Sequence, residues 1–213
     1  MKAWLKKSGI FFAVLIACAA ITGITPFFPE VAVERGIPTW SIGFIFAACP
    51  FASLITALRL PVIQQKLGRK TILLLGVFLL GISNFIMALV EFSEEYLAIF
   101  ESVSSRILAG IGCAFSMMSA NASATSDFTE EAGKVVALIE IFCGLGLIVG
   151  PAFASTFYGL VGFFYSCIIV GSFILASIPL LYFVIGETRA YVVVNGEERI
   201  KLRTIFFRPV IFT

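Results

Sequence analysis

The sequence contains no histidine. That absence removes HExxH zinc proteases, Ser-His and Cys-His hydrolases and histidine-ligated haem. Charge is scarce as well: 13% of residues are Asp, Glu, Lys or Arg, against roughly a quarter in a soluble domain. The net charge of +2 offers little to a phosphate backbone, so no nucleic-acid partner is expected. Five cysteines, Cys18, Cys49, Cys113, Cys143 and Cys167, lie inside apolar runs without CxxC spacing, which indicates neither a zinc site nor a disulfide framework. No nucleophile–base pair stands out, so neither an enzyme nor a metal or organic cofactor is expected.

Hydrocarbon is what the chain has in excess. Sixty per cent of its 213 residues are hydrophobic and the mean hydropathy is +1.05. Water could not cover such a chain, so its solvent is the lipid bilayer. A crossing helix needs about 20 mostly apolar residues. Six runs qualify: about 10–28, 41–58, 71–90, 97–122, 135–158 and 163–185. The expected fold is therefore all-α, with a six-span bundle over 1–186. A solvated segment over 187–213 follows. There, Tyr191 to Val194 with Asn195-Gly196 has the pattern of a small hairpin, and Phe206 to Thr213 looks like the approach to a seventh span.

Basic residues set the orientation. If the N-terminus is cytoplasmic, Lys2, Lys6, Lys7, Arg59, Lys66, Arg69, Lys70, Lys134 and the basic residues from Arg189 to Arg208 all fall at cytoplasmic segments. Only Arg35 then lies in an outer loop, while Glu91, Glu94 and Glu95 lie outside without a cation beside them. Both termini are expected to be cytoplasmic. Lys6-Lys7 and the apolar run after them imitate a signal peptide, but the run continues to Phe28 with no polar mature start, so it reads as a true span.

Three patterns carry more than hydropathy. Between the second and third runs stands Pro61-Val62-Ile63-Gln64-Gln65-Lys66-Leu67-Gly68-Arg69-Lys70, expected to be a loop with a tight turn at Gly68 followed by cations. In the fourth run, Arg106, Gly110 and Gly112 follow Arg-x-x-x-Gly-x-Gly. Arg106, Gly110, Cys113, Met117 and Asn121 share one helical stripe. Arginine in a span is costly unless it meets water or a partner, so that stripe is expected to face a cavity. In the fifth run, Gly146-Leu147-Ile148-Val149-Gly150-Pro151 places small residues four apart for close helix packing, with a proline that removes a backbone bond. Glu140 lies inside the same run. On the wheel it shares a face with Gly144 and Pro151, about 100° from Gly146 and Gly150. An intramembrane carboxylate must be protonated, paired or wet, which makes Glu140 the first candidate for a substrate or proton site.

These patterns resemble the major facilitator superfamily. Lys66, Gly68, Arg69 and Lys70 match its loop motif, with Pro61 where the family has glycine and Gln65 where it has a gating aspartate. Gly146, Gly150 and Pro151 match its antiporter motif. The stretch from Leu138 to Pro151, with Pro26 to Pro29 and Gly43 to Phe46, looks most like the vesicular amine transporter family, solute carrier family 18, in its polyamine-transporting branch. The resemblance covers nearly the whole chain but only the first six of the family's twelve helices. It implies two inverted three-helix repeats, a second bundle across a central cavity, and alternating access. Proton-coupled antiport of organic cations such as polyamines is the function it implies, with Glu140, Arg106 and Asn121 at the site and a proton gradient as energy source. The first run carries no acid, unlike that of monoamine carriers. A facilitator of a neutral or anionic solute held by Arg106, and a non-transporting six-helix scaffold, remain alternatives.

The topology has a direct test. Alkaline phosphatase fused after Glu94 is expected to be active outside the cytoplasm, and green fluorescent protein fused after Gly68 to be fluorescent inside it. The opposite pattern inverts the topology.

Overall fold

Lipid offers the backbone no hydrogen-bond partner, so a crossing segment must satisfy its own amides as a helix. The computed structural model describes residues 2–185, and every regular element among them is helical. In chain order these are α1 (Lys2–Thr22), α2 (Phe28–Glu34), α3 (Thr39–Leu67), α4 (Arg69–Leu89), α5 (Glu95–Asp127) and α6 (Ala132–Ile185). Single 3-10 turns, Val90–Phe92 and Thr129–Glu131, join α4 to α5 and α5 to α6. The hairpin and seventh span expected after residue 186 lie outside the described residues.

Five of these helices are long and apolar enough to cross a membrane, and the last supplies two spans. The 54 residues of α6 would stretch about 80 Å if straight, far beyond a hydrocarbon core of about 30 Å. The helix breaks at Gly162, where φ is 82° and ψ is −178°. A side chain is strained at that φ, and glycine is not. The Ser166 hydroxyl donates to the Ala154 carbonyl at 3.0 Å, twelve residues back, so the two limbs of α6 double over each other. Glu91 fixes the corner by accepting a hydrogen bond from the Phe164 backbone N–H at 2.6 Å. Six spans result: α1, α3, α4, α5 and the two limbs of α6.

Glycine brings these spans together. A Cβ built on Gly146 would stand 2.5 Å from the Leu15 carbonyl oxygen, and one on Gly150 2.7 Å from Ala19 Cα. The first limb of α6 therefore rests its backbone on α1. Gly76 of α4 and Gly112 of α5 meet in the same way, each lying where the other's Cβ would strike a carbonyl oxygen at 2.7 Å. Gly110 lies against α3, where a Cβ would be 3.0 Å from Ala52 Cβ. Large apolar side chains such as Trp40, Phe44, Phe51 and Leu58 of α3 stay exposed, Leu58 at 74%, as suits a helix bathed in lipid or covered by another bundle.

Two expectations change. The stretch from Pro61 to Lys70 is not a loop: α3 continues through Pro61 to Leu67, and only Gly68 separates it from α4. Membrane helices tolerate such a proline because neighbouring groups take up the freed carbonyl. The dozen residues expected as a loop after the first span contain the short helix α2, which buries Phe28, Val31 and Ala32.

The α1–α6 seam predicts a contrast between two glycines on one limb. Gly150→Ala is expected to lower the melting temperature in detergent, equivalent to about 1–3 kcal/mol of overpacking, because the obstructing atoms are backbone. A Cβ on Gly144 meets nothing within 4 Å. Gly144→Ala is therefore expected to be neutral or slightly stabilising through helix propensity.

Candidate functional site

The charged residues within the spans occupy contrasting places. Arg106 is buried, 3% exposed, on the side of α5 that meets α1 and α3. Its Nη1 donates to the Ile21 carbonyl at 3.1 Å, and its guanidinium carbon stands 4.9 Å from the centre of the Phe46 ring. Its Nε and Nη2 are buried and have no hydrogen-bond partner. Arginine at this depth often reaches for the interface, but here the side chain stays inside, held by a carbonyl and an aromatic face.

An open cleft of about 580 Å³ lies between α1, α3 and α5. Its walls include Ile21, Cys49, Ser53, Cys113 and Met117. Two members of the arginine's stripe, Cys113 and Met117, thus face the cleft. Gly110 instead turns to α3, where its carbonyl accepts a hydrogen bond from Ser53 at 2.7 Å. Asn121 is half-buried on the same helix, and its side-chain oxygen is buried and unpaired. A second crevice of about 200 Å³, between α1 and both limbs of α6, is lined by apolar side chains and Gly150 alone, so it offers a polar solute nothing to bind.

Glu140 lies on an uncovered face of the first limb of α6. The ion pairs of Lys6, Lys7 and Arg69 with Asp127 and Glu131 gather just before the start of α6, about two turns from Glu140, and Glu140 joins none of them. The limb's wheel has three sectors. Gly146 and Gly150 face α1; Leu138, Ile141, Leu145 and Val149 form an exposed bulky flank; Glu140, Gly144, Pro151 and Ser155 share a third sector with the exposed Leu147. Cys143, beside that last sector, reaches Cys18 of α1 at 3.0 Å, and Cys18 in turn lies 3.9 Å from Met117 of the cleft wall. Glu140 and Arg106 are not brought into contact; α1 stands between their helices. Pro151 is half-buried, and α6 remains helical through it.

The residues of the basic motif brace one end of the bundle. Gly68 takes φ 80°, which makes a single-residue turn possible. Arg69 donates to the Ala122 carbonyl at 2.9 Å and lies 3.8 Å from Asp127. Asp127 also pairs with Lys6 at 3.0 Å, so α1, α4 and α5 share one carboxylate. Lys70 sits 4.0 Å from the centre of the Tyr182 ring, while Lys66 and Gln65 are exposed. Gln64, which sequence reasoning passed over, donates to Ser119 at 3.0 Å and ties α3 to α5. Phe46, Ser53 and Cys18 were also missed; each is an ordinary span residue until the neighbouring helix is in place. Among the described residues no three His, Cys, Asp or Glu side chains gather into a metal site.

Apolar spans packed around a cleft with a few polar groups in its walls define an integral, multi-pass membrane protein. The family follows from the sequence across those spans: residues 10–213 match the model of the Major Facilitator Superfamily. The chain belongs to that superfamily of membrane transporters, and its fold is one six-helix half of theirs. It is similar to the MFS-type transporter SLC18B1 of Rattus norvegicus, 27% identical over 73% of this chain and 34% of the relative. The protein of the same name from Homo sapiens is 24% identical over 85% of this chain and 41% of the relative. The 4-hydroxybenzoate transporter PcaK of Pseudomonas aeruginosa is 28% identical over 81% of this chain and 38% of the relative. The chain thus spans between 34% and 41% of the length of these relatives.

The buried guanidinium yields a prediction of unusual sign. An unsatisfied buried donor costs about 1–3 kcal/mol, and Arg106 carries two such nitrogens. Arg106→Met, similar in length and apolar, is expected to raise the melting temperature in detergent. A fall in melting temperature would mark the arginine as a structural brace instead.

Proposed function

We propose that this chain forms one wall of a secondary active transporter that exchanges organic cations, such as amines or polyamines, for protons by alternating access. The observation that carries the reading is Glu140, an exposed carboxylate inside an apolar span that joins no ion pair among the described residues. Burying an uncompensated charge in a membrane is expensive, and a proton or a cationic solute relieves the cost equally well. A group with those two alternatives is what coupled exchange requires. Kinship with the SLC18B1 proteins supports a carrier, and the antiporter-type motif at Gly146, Gly150 and Pro151 supports exchange.

A second reading rests on Arg106. Its two open donors and its place behind the cleft wall suit an anionic or neutral solute moved without coupling, and the name of one relative specifies such an anion, 4-hydroxybenzoate. The two readings part in vesicles bearing this protein. On the first, Glu140→Gln lowers proton-driven uptake of a labelled polyamine roughly tenfold or more and flattens its pH dependence, the loss expected of an essential proton-transfer group. Uptake that survives the substitution with its pH profile unchanged sinks the proposed role. Uptake of an aromatic acid that persists after an ionophore collapses the proton gradient, and that Arg106→Gln abolishes, establishes the second reading.

A further inference from the structure

Sulfur is concentrated where three spans meet. Cys18 of α1 lies 3.0 Å from Cys143 of the first limb of α6 and 3.9 Å from the thioether of Met117 on α5. The sulfurs come from three different helices, and Met117 also lines the open cleft, as do Cys49, Cys113 and Met118. Four of the chain's five cysteines thus belong to one continuous sulfur-bearing surface. Thiol packing alone explains a buried cysteine, but not two thiols and a thioether converging at the edge of a cleft.

We propose that Cys18, Cys143 and Met117 form a binding site for a soft monovalent metal ion, Cu(I) being the one a cell supplies. Thiolate and thioether donors select such ions over hard cations, which take oxygen. The geometry is close to what the ion needs. With metal–sulfur bonds of about 2.3 Å, the sulfurs of a three-coordinate site stand about 4 Å apart. Cys18 and Met117 already meet that spacing. Cys143, 3.0 Å from Cys18, has to withdraw by about 1 Å at its half-exposed position.

Two thiols give up two protons and receive one Cu(I), so the loaded site carries one negative charge. This site uses the cleft wall but does not depend on which organic solute the transporter carries.

The test is Cu(I) titration of the purified full chain in detergent, with ascorbate as reductant and bicinchoninate as the competing chromogenic chelator. One Cu(I) per chain is expected to resist the chelator, with X-ray absorption showing only sulfur neighbours. Cys18→Ser and Cys143→Ser are each expected to weaken binding roughly tenfold or more, since even outer-shell partners of metal sites are worth that much. Met117→Leu is expected to weaken it less, and Cys167→Ser, remote from the cluster, not at all. If Cys18→Ser does not fold, the half-exposed Cys143 carries the same comparison. A wild-type chain that binds no more Cu(I) than the doubly substituted Cys18→Ser, Cys143→Ser chain overturns the proposal. So does a first shell containing nitrogen or oxygen, or a Cys18–Cys143 disulfide forming with no copper retained.

Discussion

Close approach of backbones at glycine is the interaction on which this bundle depends. Lipid tails are as apolar as leucine, so spans gain little by hiding hydrocarbon from their surroundings and must instead pack tightly. Gly146 and Gly150 seat α6 on α1, Gly110 seats α5 on α3, and Gly112 seats α5 on α4. The Arg-x-x-x-Gly-x-Gly pattern thereby acquires a geometric meaning. Its two glycines are two residues apart, about 200° around the helix, so they face different neighbours and fix α5 between them. Arg106 stands one turn before Gly110 and therefore on the α3 side, which is why its guanidinium meets Phe46.

Tight seams also decide where polar groups can be. A hydroxyl or amide at a seam gains from a partner, because no water follows it there, and Ser116 beside Gly76 is an exception that has none. Ser53 finds the carbonyl of Gly110, Ser105 the carbonyl of Ser83, and Gln64 the hydroxyl of Ser119. Each bond joins two spans at a fixed height. The cleft between α1, α3 and α5 is thus bounded by walls whose spacing is set by glycine and whose register is set by short hydrogen bonds.

Much of the fold was legible in the sequence because crossing a bilayer leaves so strong a local signal. The six apolar runs correspond to the six spans, and the glycine pair of the fifth run lies at a helix contact, as its spacing implied. What stayed hidden was either a boundary or a meeting of distant residues. Pro61 and the polar stretch after it read as a loop, yet helical backbone continues through the proline to Leu67. Gly162 looked like one glycine among several; only its positive φ shows that it turns the chain between two spans. Glu91 read as a loop acid, while its work is to receive the amide of Phe164 at that turn, 73 residues away. The candidate site was legible in part for the same reason. Arg106 and Glu140 declare themselves as charges in apolar runs, whereas Cys18, Cys143 and Met117 become a group only once three helices are in place.

The two intramembrane charges do not cancel each other, and this constrains any mechanism built on the chain. The first span contributes no acid, so Arg106 has to use a backbone carbonyl and a ring, which answer its hydrogen bonding in part and its charge hardly at all. Glu140 stands on another helix and joins no ion pair among the described residues. Neutralising either one internally would have stabilised the bundle. It would also have removed the energetic difference between an empty and an occupied cleft, and a ligand can shift a conformational equilibrium only by as much as it distinguishes the two states. Leaving the charges open keeps that difference available. If the proposal holds, a proton or cation at Glu140, or an anionic group near Arg106, supplies that difference at the moment it binds. On the proposed reading, that coupling is how occupancy of the cleft would bias the rocking of this half against the other.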